Sequence, residues 1–400
     1  MTKTDPATRL QFTQHSGEYD GVNPAITDSS TFRFDSASLM TDCFEGKLEG
    51  AFLYGRHWNP TNFELSKALA AIENSEAAWV TGSGMAAITT TILQLCSAGD
   101  HLITSVTTYG GTFAFFKNVL PRFKVEVTFV DITNLEQVKA AVKPNTRVIY
   151  TETLTNPLLK VSDLPGLATI AHSQGIKLVV DNTFTPMVVT PIDHGADIVV
   201  HSLTKFINGK SDGIGGAICG SWEFINSLSN LNDGMAMLLG PVLEPLRASS
   251  IHKNLFTLHL RMQQHSKNAQ FIAEKLAAAK LRVTYPGLPT DSQHDMMKKL
   301  MNPAYGFGGI LSIDTGTKKL ANDLMVAMQN REVGFIAVSL GYFKTLFSNS
   351  GTSTSSEVPT DLQHSMGLSP GLVRIAIGID QDIENTWGLI HAALKEVNLI

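Results

Sequence analysis

Cysteine is scarce in this chain. Three occur in 400 residues, Cys43, Cys96 and Cys219, far apart and odd in number. No CxxC or CxxxH spacing joins them, which excludes a disulfide framework and a cysteine-bound zinc site, and no metal is expected. Charge is scarce as well: Asp, Glu, Lys and Arg make up 17% of the chain, against about 25% in ordinary globular domains. Lys and Arg total 31, Asp and Glu 36, for a net charge of −5. With no cluster of Lys and Arg, that balance argues against nucleic acid or an anionic membrane as a partner. Long apolar runs are also missing. None approaches the ~20 residues that span a bilayer, and the opening "MTKTDPATRLQF" has no apolar signal-peptide core. These absences point to the cytoplasm. A hydrophobic share of 43% beside so little charge implies surface that is buried again, most simply against other copies of the chain.

What is present is an alternation of short apolar runs with helical stretches. Residues 1–60 lack clear periodicity and read as an extended arm. Beyond about residue 64, "AAWVTGS", "HLITSV", "VEVTFVD", "TRVIYTET", "KLVVDNTF", "DIVVHSL" and "GGAICG" have strand length and β-branched character. Helical stretches fall at 84–96, 112–119, 134–142 and 163–174. Such alternation predicts a mostly parallel seven-stranded sheet covered on both faces, an α/β domain over 61–250. Residues 251–400 open with the helical "LFTLHLRMQQHSKNAQFIAEKLAAAK". The strands "GGILSIDT", "FIAVSLG" and "LVRIAIGID" follow, with helices at 319–329 and 383–396, which predicts a smaller α+β domain. The only biased segment is the Ser/Thr-rich 348–360.

In open α/β sheets, ligands sit beyond the carboxyl ends of the strands. Four stretches there carry chemistry. "TGSGMAAI", 81–88, places small residues at the start of a helix, where free N–H groups bind phosphate. It matches neither GxGxxG nor the Walker pattern. Asp181 ends "LVVD". Tyr109 follows "HLITSV". Lys205 follows "DIVVHSL", between the hydroxyls of Ser202 and Thr204 and a glycine-rich run. Alone, Asp181 reads equally as a cap or ion-pair partner, and the others read more readily as a tight turn, a packed turn aromatic and a surface lysine. Together they meet the needs of pyridoxal phosphate (PLP): an amine for a Schiff base, an acid for the pyridine nitrogen, an aromatic for the ring, and donors for the phosphate.

The strings "LYGRHWNPT", "GSGMAAI", "TTYGGTFAF", "TLTNPLLKVSDL", "VVDNTF", "DIVVHSLTKFINGKSD", "AVSLG" and "SPGLVRIAIGID" resemble the Cys/Met-metabolism family of PLP-dependent enzymes, from about Gly21 to the C-terminus. Within it, the pattern resembles that of plant-type methionine γ-lyases. The resemblance implies an aspartate-aminotransferase-like fold (PLP fold type I). It implies that Lys205 tethers the cofactor and shuttles protons, that Asp181 pairs with the ring nitrogen, and that Tyr109 stacks on the ring and assists the leaving group. Gly84 and Met85 would offer N–H groups to the phosphate, and Ser202 and Thr204 hydroxyls. Tyr54 and Arg56 would reach the phosphate of a neighbouring subunit, in a dimer-of-dimers tetramer. Arg374, Ser339 and Asn156 would hold the substrate α-carboxylate.

The implied reaction is γ-elimination from L-methionine or a related amino acid, giving 2-oxobutanoate, ammonia and a thiol. Val338 stands where cystathionine-cleaving relatives carry glutamate, which favours an apolar γ-substituent. Met235, Leu238, Trp58 and Phe113 are expected to add apolar surface. Gly111 stands in place of a cysteine, and Ala236 and Met237 in place of a Lys-Asp pair. With room at Gly111, and with Asp28 and His57 supplying polarity, elimination from canavanine stays open, as does γ-replacement on O-acetylhomoserine. The 341–357 loop is expected to lie near the substrate.

Overall fold

A computed structural model describes residues 5–13, 17–48, 50–350, 363 and 366–400. All seven expected strands of the first sheet are present: β1 (Ala77–Thr81), β2 (His101–Ser105), β3 (Glu126–Val130), β4 (Thr146–Glu152), β5 (Lys177–Asp181), β6 (Ile198–Ser202) and β7 (Gly216–Gly220). They lie in the order β1-β7-β6-β5-β4-β2-β3. Only β7 runs antiparallel to its neighbours, and the remaining pairs are parallel. Alternate residues enter two separate cores. Ile103, Ile149, Val180 and Val199 face one; Leu102, Val148, Val179 and Val200 face the other. A sheet buried on both faces has no polar face to alternate with, so its strands read as continuous apolar runs.

The second sheet comprises β8 (Arg282–Thr284), β9 (Ile310–Asp314), β10 (Gly334–Ile336), β11 (Thr345–Asn349) and β12 (Leu372–Ala376), in the order β10-β11-β12-β9-β8. The helices Leu258–Ala278, Lys318–Asn330 and Ile383–Glu396 cover it, sharing one core with Ile313, Phe347 and Val373.

Four expectations need correction. The strand read over "FIAVSLG" is only Gly334–Ile336. Val338 is 68% exposed, so this apolar run borders a cavity rather than a core. Part of the stretch read as a loop, 341–357, is the strand Thr345–Asn349, while 351–357 lies outside the described residues. The helix read over 112–119 begins at Gly110 and passes into a wider π-turn over Phe115–Val119. Residues 1–60 hold two short helices, Pro6–Gln11 and Ala37–Phe44. The first is docked onto its own chain: Leu10 is buried in the large core, and Arg9 donates to Ala71 O at 2.6 Å and to Ile72 O at 2.8 Å.

Candidate active site

Strands β2, β4, β5 and β6 run parallel, so their carboxyl ends share one edge. Tyr109, Glu152, Asp181 and Ser202 are gathered there. Strand β1 runs the same way, and the helix Gly84–Leu95 starts at its end. A cavity of about 270 Å³ opens at this edge. Its wall includes Gly84, Met85, Tyr109, Asp181, Ser202, Thr204 and Lys205 from the first sheet's loops. Asn156, after β4, joins that wall, and Val338, Ser339 and Arg374 close it from the side of the second sheet.

Lys205 donates from Nζ to Ser339 Oγ at 3.1 Å. Burial, aided by the Arg374 charge, lowers its pKa to about 8. Asp181 accepts from Thr183 N at 2.9 Å and from the Tyr150 hydroxyl at 3.3 Å. Burial raises its pKa, and the bonds from Thr183 oppose that rise. Arg374 is 3% exposed and donates to Asn156 Oδ1 at 3.1 Å and to Ser339 O at 3.0 Å. Burial lowers its pKa to about 10, so it remains a cation at neutral pH. The Phe184 ring lies 5.9 Å from its guanidinium carbon. Its Nε is buried with no partner among the described residues.

The turn after β1 leaves no space for a side chain. A Cβ at Gly84 would stand 2.6 Å from Ser202 Cβ and 2.9 Å from its Cα. The Ser83 hydroxyl caps the helix by accepting from Ala86 N at 3.1 Å. The N–H groups of the first turn are therefore held close to the end of β6 with only backbone between them, a cradle suited to an anion. The Thr204 hydroxyl is already engaged. It accepts from Gly215 N at 3.2 Å and donates to Gly215 O at 3.4 Å, so it must leave that carbonyl to reach an anion.

Other expected residues lie elsewhere. Tyr54 and Arg56 do not line their own chain's cavity. Arg56 donates to Met237 O at 2.7 Å and sits 5.6 Å from the Tyr54 ring centre. Asp28, His57, Met235 and Leu238 are likewise absent from the cavity wall. Trp58 stacks on Trp79 at 4.2 Å, and Phe113 is packed against Phe129 at 5.0 Å. The room expected at Gly111 is filled: a Cβ there would lie 2.7 Å from Cε1 of Tyr109.

Sequence reasoning passed over Glu152. It ends β4 as Asp181 ends β5, and the two are paired in register. Its carboxylate accepts from Tyr109 N at 2.8 Å, Thr108 Oγ1 at 3.1 Å and Asn156 N at 2.7 Å. Burial and the Asp181 charge push its pKa up to about 8. The strand-end rule that singled out Asp181 applies to Glu152 equally.

A half-buried amine of lowered pKa, a half-buried acid and an anion cradle around one cavity define a PLP-type site on a two-sheet α/β fold. The chain matches the Cys/Met metabolism PLP-dependent enzymes over residues 8–395 and belongs to that family. It is similar to the methionine gamma-lyase of Arabidopsis thaliana, 44% identical over 96% of this chain and 88% of that protein. The L-methionine gamma-lyase of Fusobacterium nucleatum subsp. polymorphum is 41% identical over 95% of each. The crystal structure of cystathionine gamma-lyase from Lactobacillus plantarum with L-serine superposes with a TM-score of 0.89, at 28% identity, over 99% of this chain and 100% of that one. The chain is thus a PLP-dependent lyase of Cys/Met metabolism.

Proposed function

We propose that this enzyme catalyses γ-elimination from L-methionine or a close thioether analogue, with water consumed and 2-oxobutanoate, ammonia and a thiol released. The carrying observation is the sign of the cavity wall. Its only carboxylates among the described residues are Glu152 and Asp181. Glu152 is engaged with three donors, and Asp181 with Thr183 and Tyr150. Beside the arginine, Val338 presents an apolar side chain. A substrate with a distal ammonium would bury that charge unpaired, at a cost of several kcal/mol.

The residues fit the cofactor. Lys205 would hold it covalently, Asp181 would face the ring nitrogen, and Tyr109 would cover the ring. Gly84 and Met85 N–H groups and the Ser202 and Thr204 hydroxyls would hold the phosphate. When bound, PLP supplies an aldehyde for the amino group and a ring that accepts electron density from Cα. Arg374, with Ser339 and Asn156, fixes the α-carboxylate, where a planar guanidinium matches two oxygens. Lys205, with its lowered pKa, is suited to take the proton from Cα and move it along the substrate. Tyr109 would protonate the departing sulfur. Tyr54 and Arg56 serve the neighbouring subunit in a homotetramer. A cytoplasmic setting is part of the same reading, supported by three unpaired cysteines, two of them buried.

The test is a product assay on the PLP-loaded protein with L-methionine. Stoichiometric 2-oxobutanoate and methanethiol are expected. A negligible rate with cofactor retained overturns the substrate assignment in favour of canavanine or O-acetylhomoserine.

A further inference from the structure

Glu152 is the cavity carboxylate that the reaction above leaves without a task. It is 5% exposed, in a wall where an ionised group is costly to keep. Its two oxygens point at different parts of the site. Oε1 takes the amide proton of Tyr109 at 2.8 Å and the Thr108 hydroxyl at 3.1 Å. Oε2 takes the amide proton of Asn156 at 2.7 Å. Asn156 in turn accepts from Arg374 at 3.1 Å through its side-chain oxygen.

We propose that Glu152 is a positioning residue that locks the Tyr109 turn and the Asn156–Arg374 clamp to one another, so that the leaving-group and α-carboxylate ends of the substrate are held in one register. The proposal rests on the reading of Arg374 as the carboxylate clamp. The chemistry explains why a carboxylate is kept. Only a carboxyl group, ionised or protonated, keeps an oxygen able to accept in each direction. Glutamine keeps one oxygen and turns an NH2 toward an N–H. Whichever way the amide points, either the Tyr109 or the Asn156 proton loses its acceptor, and a buried donor left unmade is destabilised.

The experiment is a double-mutant cycle on the PLP-loaded protein, read by calorimetric titration with L-norleucine. This probe keeps the α-carboxylate and chain length of methionine and has no γ-leaving group. Glu152→Gln is expected to weaken norleucine binding about tenfold, as the loss of one hydrogen bond to a charged group does. In an Asn156→Ala background, which keeps the backbone N–H but removes the contact with Arg374, the same change is expected to cost less than about twofold. If Glu152→Gln binds norleucine as tightly as wild type, or weakens it equally in both backgrounds, the proposal is overturned. If Glu152→Gln does not hold its cofactor, Glu152→Asp is read in the same cycle. It keeps the carboxyl group but is one methylene short of spanning both amides, and the same outcomes decide. Wild-type protein that holds PLP but neither binds norleucine nor turns over methionine overturns the proposed function, and this proposal with it.

Discussion

A lysine in water keeps its proton to about pH 10.4, and an ammonium cannot attack an aldehyde. Lys205 escapes this limit through its surroundings: burial first, then repulsion from Arg374, bring its pKa down to about 8. The sign is direct. The neutral amine is the minor form below pH 8 and becomes the major form as pH rises through it. Uptake of PLP by the cofactor-free protein is therefore expected to accelerate with an inflection near pH 8, followed by absorbance in stopped flow. Arg374→Gln removes the second cause and moves that inflection upward. An inflection near pH 10 in the wild-type protein would show that the amine is not desolvated as the structure has it. On the proposed reading Arg374 carries two roles at once, since the guanidinium that would bind the substrate carboxylate also lowers the pKa of the lysine.

At the scale of elements, the helix Pro60–Glu73 is fastened beneath the site by its last residue. Glu73 Oε1 accepts from Asn182 Nδ2 at 2.9 Å and meets His201 Nε2 at 2.7 Å, all three fully or almost fully buried. Asn182 follows Asp181, and His201 precedes Ser202, so this network sets two strand ends that carry site residues. Glu73→Ala strands a buried histidine and a buried amide and is expected to destabilise the protein by about 3–5 kcal/mol, measured by urea unfolding with cofactor bound. Glu73→Gln, which keeps an acceptor, is expected to lose less. Equal losses would show the oxygen to be unimportant. The strands around this network were legible from sequence because they are buried on both faces and rich in β-branched residues. What was not legible has physical causes. The helix Ala37–Phe44 buries no residue, so no stripe marks it. Strand β11 is buried throughout yet includes Ser348 and Asn349, and polar residues in a core break the apolar signal. "FIAVSLG" misled in the opposite way, because an apolar run that lines a substrate cavity has the composition of a strand. Lys205, Asp181, Tyr109 and Arg374 stood out because each is a chemically distinctive group at the end of an apolar run. Glu152 stands at such an end too, but its partners are mostly backbone amides, which a sequence does not display.

Across the whole molecule, the low charged share finds its counterpart in exposed apolar residues far from the cavity. Leu238 and Leu239 are 51% and 55% exposed, and Tyr54 is 44% exposed. Leu238 and Leu239 belong to the short helix Met235–Leu239, whose Met237 carbonyl accepts from Arg56, and both Arg56 and Tyr54 lie outside their own chain's cavity. If they complete a neighbour's site, as proposed, each site draws on two chains, and defects in different chains must complement. Lys205→Ala abolishes the tether of its own site; Arg56→Ala weakens the phosphate site of the adjoining subunit. In a heterodimer of the two, both defects fall on one site and the other site is intact. Random mixing makes half the dimers heterodimers, each with one native site of two, so at a PLP concentration too low to fill the Arg56→Ala sites a 1:1 mixture refolded together is expected to recover about a quarter of wild-type activity, although each variant alone is nearly inactive there. Were Arg56 to act within its own chain, every site in the mixture would carry one defect and no activity would return. The yield of this complementation therefore decides whether the active unit is one chain or two.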